Sequence, residues 1–177
     1  MHHARSKVFL NVGDFHFAGR QTHIHTLLGS CVSVTVWHPQ LLVGGMCHFA
    51  LPERLSERHS GLDGRYGNDC LKLFQRAISK RKLSPADFEA KIFGGGNMLN
   101  KEPGNDITDS ETQTIGDRNV EAAFQLVMQL GCDLQVAHVG EFGYRRIIFD
   151  IATGDVWVKF RDARKSDKDL TILTGRN

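Results

Sequence analysis

The chain has 177 residues, 22 Lys+Arg against 20 Asp+Glu for a formal net charge of +2, and 18 glycines against 4 prolines. That length suits one domain with a sizeable core, no apolar run is long enough to cross a bilayer, and the balanced charge gives no reason to expect nucleic acid. The start, MHHARSKVFLNVG, is short and basic without an apolar stretch of signal-peptide length after it, so a cytosolic protein is expected.

Val8 to Val12 reads as a first strand. Thr26 to Leu28 then leads into a Gly29-Ser30 turn. After it Val32, Val34 and Val36 alternate with Ser33 and Thr35, the period of a half-buried strand. Leu42 to Leu51 returns as its hairpin partner, closed by Pro52. Leu55 to Gly67 is polar and glycine-punctuated, as an exposed loop would be. Tyr66, Cys70, Leu73, Phe74, Ala77 and Ile78 recur at helical spacing and predict an amphipathic helix of about four turns. Ser84-Pro85 suits the start of a short further turn. Ala90 to Phe93 is a short strand running into Gly94-Gly95-Gly96, and a polar segment follows from Asn97 to Thr114. A second helix begins at Gly116, presents Val120, Ala123, Phe124, Val127 and Leu130, and is capped by Gly131. Leu134–Val139, Arg146–Ile151 and Val156–Phe160 are further strands, the last two joined by a turn at Thr153-Gly154-Asp155. The order predicts an α+β layered domain rather than a regular β/α alternation. It spans 1–177, with a core over about 7–160 and a charged tail over 161–177.

Four cysteines, Cys31, Cys47, Cys70 and Cys132, show no C-x-x-C spacing, so neither a disulfide framework nor a zinc knuckle is implied. Cys31, Cys47 and His48 all lie in the hairpin. If its loop is centred on Pro39-Gln40, Cys31 stands directly opposite His48, with Cβ atoms about 5 Å apart. The pleat turns Cys47 the other way, beside Val32 and Phe49, as core filler. Cys31 shares the face of Ser33, where an imidazole would take its proton and later protonate a leaving amine. Gly29 and Ser30 would let backbone N–H groups approach a developing oxyanion. Thr26 or a backbone carbonyl is the nearest group able to orient the histidine. Spacing alone leaves a packed Cys31 and a satisfied His48 as at least as good a reading.

Two other chemistries fit the residues less well. His23 and His25 share a strand face near Cys31, Cys47, His38 and His48, but the familiar zinc spacings are absent and no metal is expected. The Gly94-Gly95-Gly96 run matches neither glycine-rich phosphate template, and a tight turn is expected there.

LGSCV at Leu28–Val32, GGMCHFALP at Gly44–Pro52, KIFGGG at Lys91–Gly96, IGDRNV at Ile115–Val120 and RRIIFDIATGDVWVK at Arg145–Lys159 resemble CheD, the chemoreceptor glutamine deamidase family. The resemblance implies a layered fold related to the catalytic domain of cytotoxic necrotizing factor toxins. It implies hydrolysis of glutamine side chains on the cytoplasmic helices of methyl-accepting chemotaxis receptors, with no cofactor. Cys31 falls on that family's nucleophile, His48 on its general base and Thr26 on the threonine that assists the histidine. A CheC-like phosphatase is implied as a partner. The chain departs from the family's pattern at Gly140 to Arg145, where a GG-x-x-GR segment is usual, and at His138, where an acidic residue is common. A transglutaminase using the same thioester, or an adaptor with no catalysis, are the competing functions.

Overall fold

The structure is a computed structural model that describes residues 5–55, 61–98, 113–164 and 171–174. In chain order its elements are β1 (Ser6–Phe9), β2 (Phe15–Gly19), β3 (Thr22–Leu28), β4 (Val32–His38), β5 (Val43–Cys47), α1 (Gly67–Lys80), a 3-10 turn (Pro85–Asp87), β6 (Glu89–Gly94), α2 (Ile115–Leu130), β7 (Asp133–Val139), β8 (Gly143–Asp150), β9 (Val156–Asp162) and β10 (Thr171–Thr174). Two five-stranded mixed sheets form, ordered β1-β3-β8-β9-β10 and β2-β5-β4-β6-β7. Of the expected loops at Leu55–Gly67 and Asn97–Thr114, residues 56–60 and 99–112 lie outside the described residues.

Alternation along β4 explains the layering. Val32, Val34 and Val36 join Phe74, Ile78, Ala123 and Val127 in one core, between the second sheet and the two helices. Met46 and Phe93 of that sheet meet Ile24, Leu28, Ile147 and Phe149 of the first sheet in another. The order is therefore sheet, sheet, helices, an α+β fold of three layers. β4 is not half-buried as its alternation predicts: Ser33 and Thr35 are as buried as the valines. A second sheet lies over the hydroxyl row, and small side chains let it approach. Trp37 on that row donates its indole N–H to the Ile151 carbonyl at 2.8 Å.

Several expected elements shift. The first strand ends at Phe9 rather than Val12, and β2 and most of β3 were not anticipated, because His16, His23 and His25 break their apolar rows. The helices stand close to where periodicity predicts them. On α2, however, the buried stripe is Gly116, Asn119, Ala123, Leu126, Val127 and Leu130, while Phe124 is exposed. Thr114 and Asp117 form a reciprocal capping box at its start, and Gly131 at φ 82° closes it. Within the stretch expected to be a charged tail, residues 171–174 add an antiparallel strand to β9.

α2 enters against the glycine run. A Cβ at Gly116 would lie 2.5 Å from the Gly95 carbonyl oxygen, and Gly95 itself sits at φ 66° with Val120 against it. Gly116→Ala is therefore expected to lower stability by about 2 kcal/mol through overpacking against backbone that cannot yield. A thermal melt with an intact circular-dichroism spectrum checks this.

Candidate active site

β3 turns Thr22, Ile24, Thr26 and Leu28 inward, toward the second sheet. Just past β5, His48 lies opposite them, its backbone held by N–H donation to the Asp14 carbonyl and by acceptance from the Gly13 N–H. Its Nδ1 lies 2.8 Å from Thr26 Oγ1, and the Thr26 hydroxyl donates to the Leu10 carbonyl at 2.8 Å. A hydroxyl has one proton to give. With that proton on Leu10, Nδ1 must carry the hydrogen of the imidazole, and Nε2 is left as a bare lone pair. This Nε2 is buried and has no hydrogen-bond partner. Burial lowers the His48 pKa to about 4 against smaller opposing effects of the Leu10 carbonyl and Asp14, so the ring is neutral at pH 7.

The hairpin register differs from the expected one. The loop occupies residues 39–42, where the Leu42 N–H returns to the His38 carbonyl and Leu42 takes a φ of 52°. Its centre thus falls one residue later than Pro39-Gln40. Thr35 pairs with Met46 and Val32 with Phe49, so His48 lies beside Ser33 and Cys31 is one step along, on the same face. A shift of two residues preserves the face but makes Cys31 and His48 diagonal neighbours instead of direct ones. The pair is not hydrogen-bonded, since His48 Nε2 has no partner. Cys31 is half-buried and packs against the inter-sheet core, and burial raises its pKa. The site at rest is accordingly a neutral thiol and a neutral imidazole.

The loop before Cys31 is held by its carbonyls. Gly29 O accepts from the Gly96 N–H at 2.8 Å and Cys31 O from the Gly95 N–H at 2.8 Å. Ser30 O accepts from Asn119 Nδ2 at 3.0 Å, and the same amide nitrogen donates to Ala50 O at 2.8 Å. The glycine run expected to be a plain turn thus anchors the Cys31 loop. Asn119 was not anticipated; its signal was a polar residue on the buried stripe of α2, fully enclosed. Its Oδ1 is buried without a partner, an arrangement that costs about 1–3 kcal/mol.

The remaining cysteines are elsewhere. Cys47 and Cys70 are fully buried in the helix-side core, and Cys70 donates to the Gly64 carbonyl at 3.3 Å. Its neighbour Cys47 and burial drive the Cys70 pKa far up, while burial raises that of Cys132 to about 12. His23 and His25 lie on the outward face of β3, His23 with Arg5 and Asp150, and His25 stacked on Phe9. Among the described residues no three His, Cys, Asp or Glu side chains group as metal ligands. His138 accepts from Arg145 Nε at 2.7 Å; Arg145 is fully buried, with both terminal nitrogens unpartnered.

Fold and site together define an α+β protein of two stacked sheets, with a thiol on an anchored loop and an oriented imidazole one step across the hairpin. A family model described as CheD chemotactic sensory transduction matches residues 50–160. A protein of Dechloromonas aromatica, described as probable chemoreceptor glutamine deamidase CheD 3, is 44% identical over 154 residues, covering 87% of each chain. The probable chemoreceptor glutamine deamidase CheD of Pseudomonas syringae pv. tomato is 39% identical over 163 residues, covering 92% of this chain and 94% of its own. The chain belongs to the CheD family. Among solved structures, the hypothetical protein YfiH of Bacillus licheniformis is a distant likeness, with a TM-score of 0.45 and 16% identity over 72% of this chain and 51% of that one.

Proposed function

We propose that this chain is a cytosolic protein-glutamine deamidase that hydrolyses glutamine side chains on the cytoplasmic helices of chemotaxis receptors. The single observation carrying the chemistry is the Leu10–Thr26–His48 hydrogen-bond chain, which fixes the imidazole as the Nδ1–H tautomer and leaves Nε2 free to accept a proton. The substrate class comes from the relatives described as chemoreceptor glutamine deamidases.

In this reading, His48 Nε2 takes the proton of Cys31 as Sγ attacks the carboxamide carbon, and N–H groups of the Gly29-Ser30-Cys31 loop receive the oxyanion. The C–N bond then breaks, and ammonia leaves with the proton from His48. Water loses a proton to Nε2 and attacks the thioester. The S–C bond breaks, glutamate is released and the proton returns to Sγ. Since thiol and imidazole are both neutral at rest, proton transfer accompanies attack instead of preceding it. Thr26 is a positioning residue whose hydroxyl is hydrogen-bonded to His48 and Leu10.

The test is incubation of the protein with a receptor cytoplasmic fragment, following ammonia release and glutamine-to-glutamate conversion by mass spectrometry. Conversion at discrete glutamines supports the reading. Binding without conversion supports an adaptor instead, and amine incorporation without ammonia-coupled hydrolysis to glutamate supports a transglutaminase.

Thr26→Val removes the acceptor of the Nδ1–H and lets the ring adopt the other tautomer. We expect kcat to fall roughly 10²-fold with KM unchanged. Thr26→Ser retains the hydroxyl and is expected to recover most of the loss; equal defects in the two variants would contradict the tautomer argument.

A further inference from the structure

We infer that Asn119 is the positioning residue of the oxyanion site: its side-chain amide holds the Ser30 carbonyl so that the Cys31 N–H is aimed at the substrate. The inference rests on the reading of Cys31 as nucleophile.

A trans peptide points its C=O and its N–H in opposite directions, and no peptide bond of the described chain is cis. Asn119 Nδ2 takes the oxygen of the Ser30–Cys31 peptide on the α2 side, so the N–H of that peptide faces away from α2. The neighbouring Gly29–Ser30 peptide is oriented in the same manner, through Gly29 O on the Gly96 N–H. The Cys31 N–H has no backbone acceptor among the described residues. A nucleophile's own N–H, left unpaired and fixed in direction, is the donor that an oxyanion on the attacked carbon needs.

The second contact gives the amide a further task. Ala50 O, two residues beyond His48, binds the same nitrogen. One buried group therefore ties the nucleophile's loop to the segment carrying the base, across the diagonal that separates the two. The N-terminus of α2 is placed for this by Gly116 against Gly95, and Gly95 itself holds the Cys31 carbonyl. Asn119 keeps an unpartnered Oδ1 inside an otherwise apolar stripe. A leucine of similar size would avoid that orphan but could hold neither carbonyl.

Asn119→Ala and Asn119→Asp test this. Both remove the donor toward Ser30 O, and Asp adds an acceptor facing two carbonyl oxygens. Three readouts are compared on each variant: deamidation of a receptor fragment, inhibition by a receptor peptide whose target amide is replaced by an aldehyde, and alkylation of Cys31 by iodoacetamide at alkaline pH. The aldehyde forms a hemithioacetal whose oxygen occupies the oxyanion position, whereas alkylation passes through no oxyanion. We expect kcat and aldehyde affinity each to fall roughly 10²-fold, with KM and the alkylation rate within about threefold of wild type. The ratio of aldehyde affinity to alkylation rate is read within one folded sample, so partial loss of folded protein does not imitate the result. If alkylation falls in proportion to kcat, or aldehyde affinity is unchanged, the inference is overturned. Turnover that survives in Cys31→Ala sinks the nucleophile reading and this inference with it. Turnover lost in Cys31→Ala but kept in both Asn119 variants sinks this inference alone.

Discussion

Cys31→Ala is expected to abolish ammonia release from receptor fragments, lowering kcat by roughly 10⁴-fold or more, as loss of an attacking group does when no other can replace it. Cys47, Cys70 and Cys132 offer no substitute. Cys47 and Cys70 are enclosed in the core on the helix side of the second sheet, and burial keeps Cys132 a thiol with a pKa of about 12. The same variant is expected to remain folded, because Cys31 is only half-buried and accepts its loop's hydrogen bond through its backbone carbonyl. A matched measurement refines the mechanism. Burial raises the Cys31 pKa, so thiolate absorbance at neutral pH is expected to be absent and alkylation to accelerate only as pH rises above the ordinary thiol range. A Cys31 thiolate at pH 7 would contradict the neutral pair described above, and undiminished turnover by Cys31→Ala would remove Cys31 from the reaction.

The second large effect concerns His48. Its folded pKa of about 4 lies below its ordinary value of 6.5 because burial penalises the imidazolium. Between those values the unfolded chain binds a proton that the folded chain does not, so stability rises with pH across this window. The contribution is present in full above pH 6.5 and is lost as pH falls toward 4. A tenfold difference in proton affinity corresponds to about 1.4 kcal/mol, so acidification from pH 7 to 5 is expected to remove about 2 kcal/mol of stability through this group. His48→Asn keeps an amide N–H in reach of Thr26 Oγ1 and cannot titrate. Urea denaturation at both pH values is expected to show a smaller loss in this variant by about that amount. A pH dependence identical to wild type would exclude His48 as the titrating group. Under the proposed mechanism catalysis is expected to follow the same ionisation. The acid limb of kcat/KM is expected near pH 4, with activity retained at pH 6, and His48→Asn is expected to fall roughly 10³-fold in kcat.

Much of this was legible along the chain because it depends on neighbours. The period of two in β4 marks a strand and the spacing of α1 marks an amphipathic helix, although both faces of β4 are buried. Gly131 closes α2 as its type suggests, since only local backbone geometry is involved. The pleat likewise turns Cys47 and His48 to opposite faces whatever the partner strand does, and here Cys47 lies in the core. The five motifs from LGSCV to RRIIFDIATGDVWVK together carried the resemblance to the family, to which the chain belongs.

The rest required residues far apart in the chain to meet. The facing of Cys31 and His48 depended on the loop at 39–42, whose bond from Leu42 N–H to His38 moved the register by two. A loop of that length is set by which closure leaves the strands packed between two layers, not by Pro39 and Gln40 themselves. β2 and β3 were obscured because His16, His23 and His25 interrupt their apolar rows, and His23 meets Asp150 and His25 stacks on Phe9 only once the first sheet forms. The imidazole tautomer is a tertiary fact, since Leu10 and Thr26 reach His48 from separate segments. So is the role of Asn119, which lies on a helix 89 residues from Ser30 in sequence. The order of residues along the chain was enough to specify the kinds of element, the family and the chemical groups available. Packing across the fold selected which nitrogen of His48 is free and which carbonyls are held, because the direction of a hydrogen bond depends on what lies opposite it.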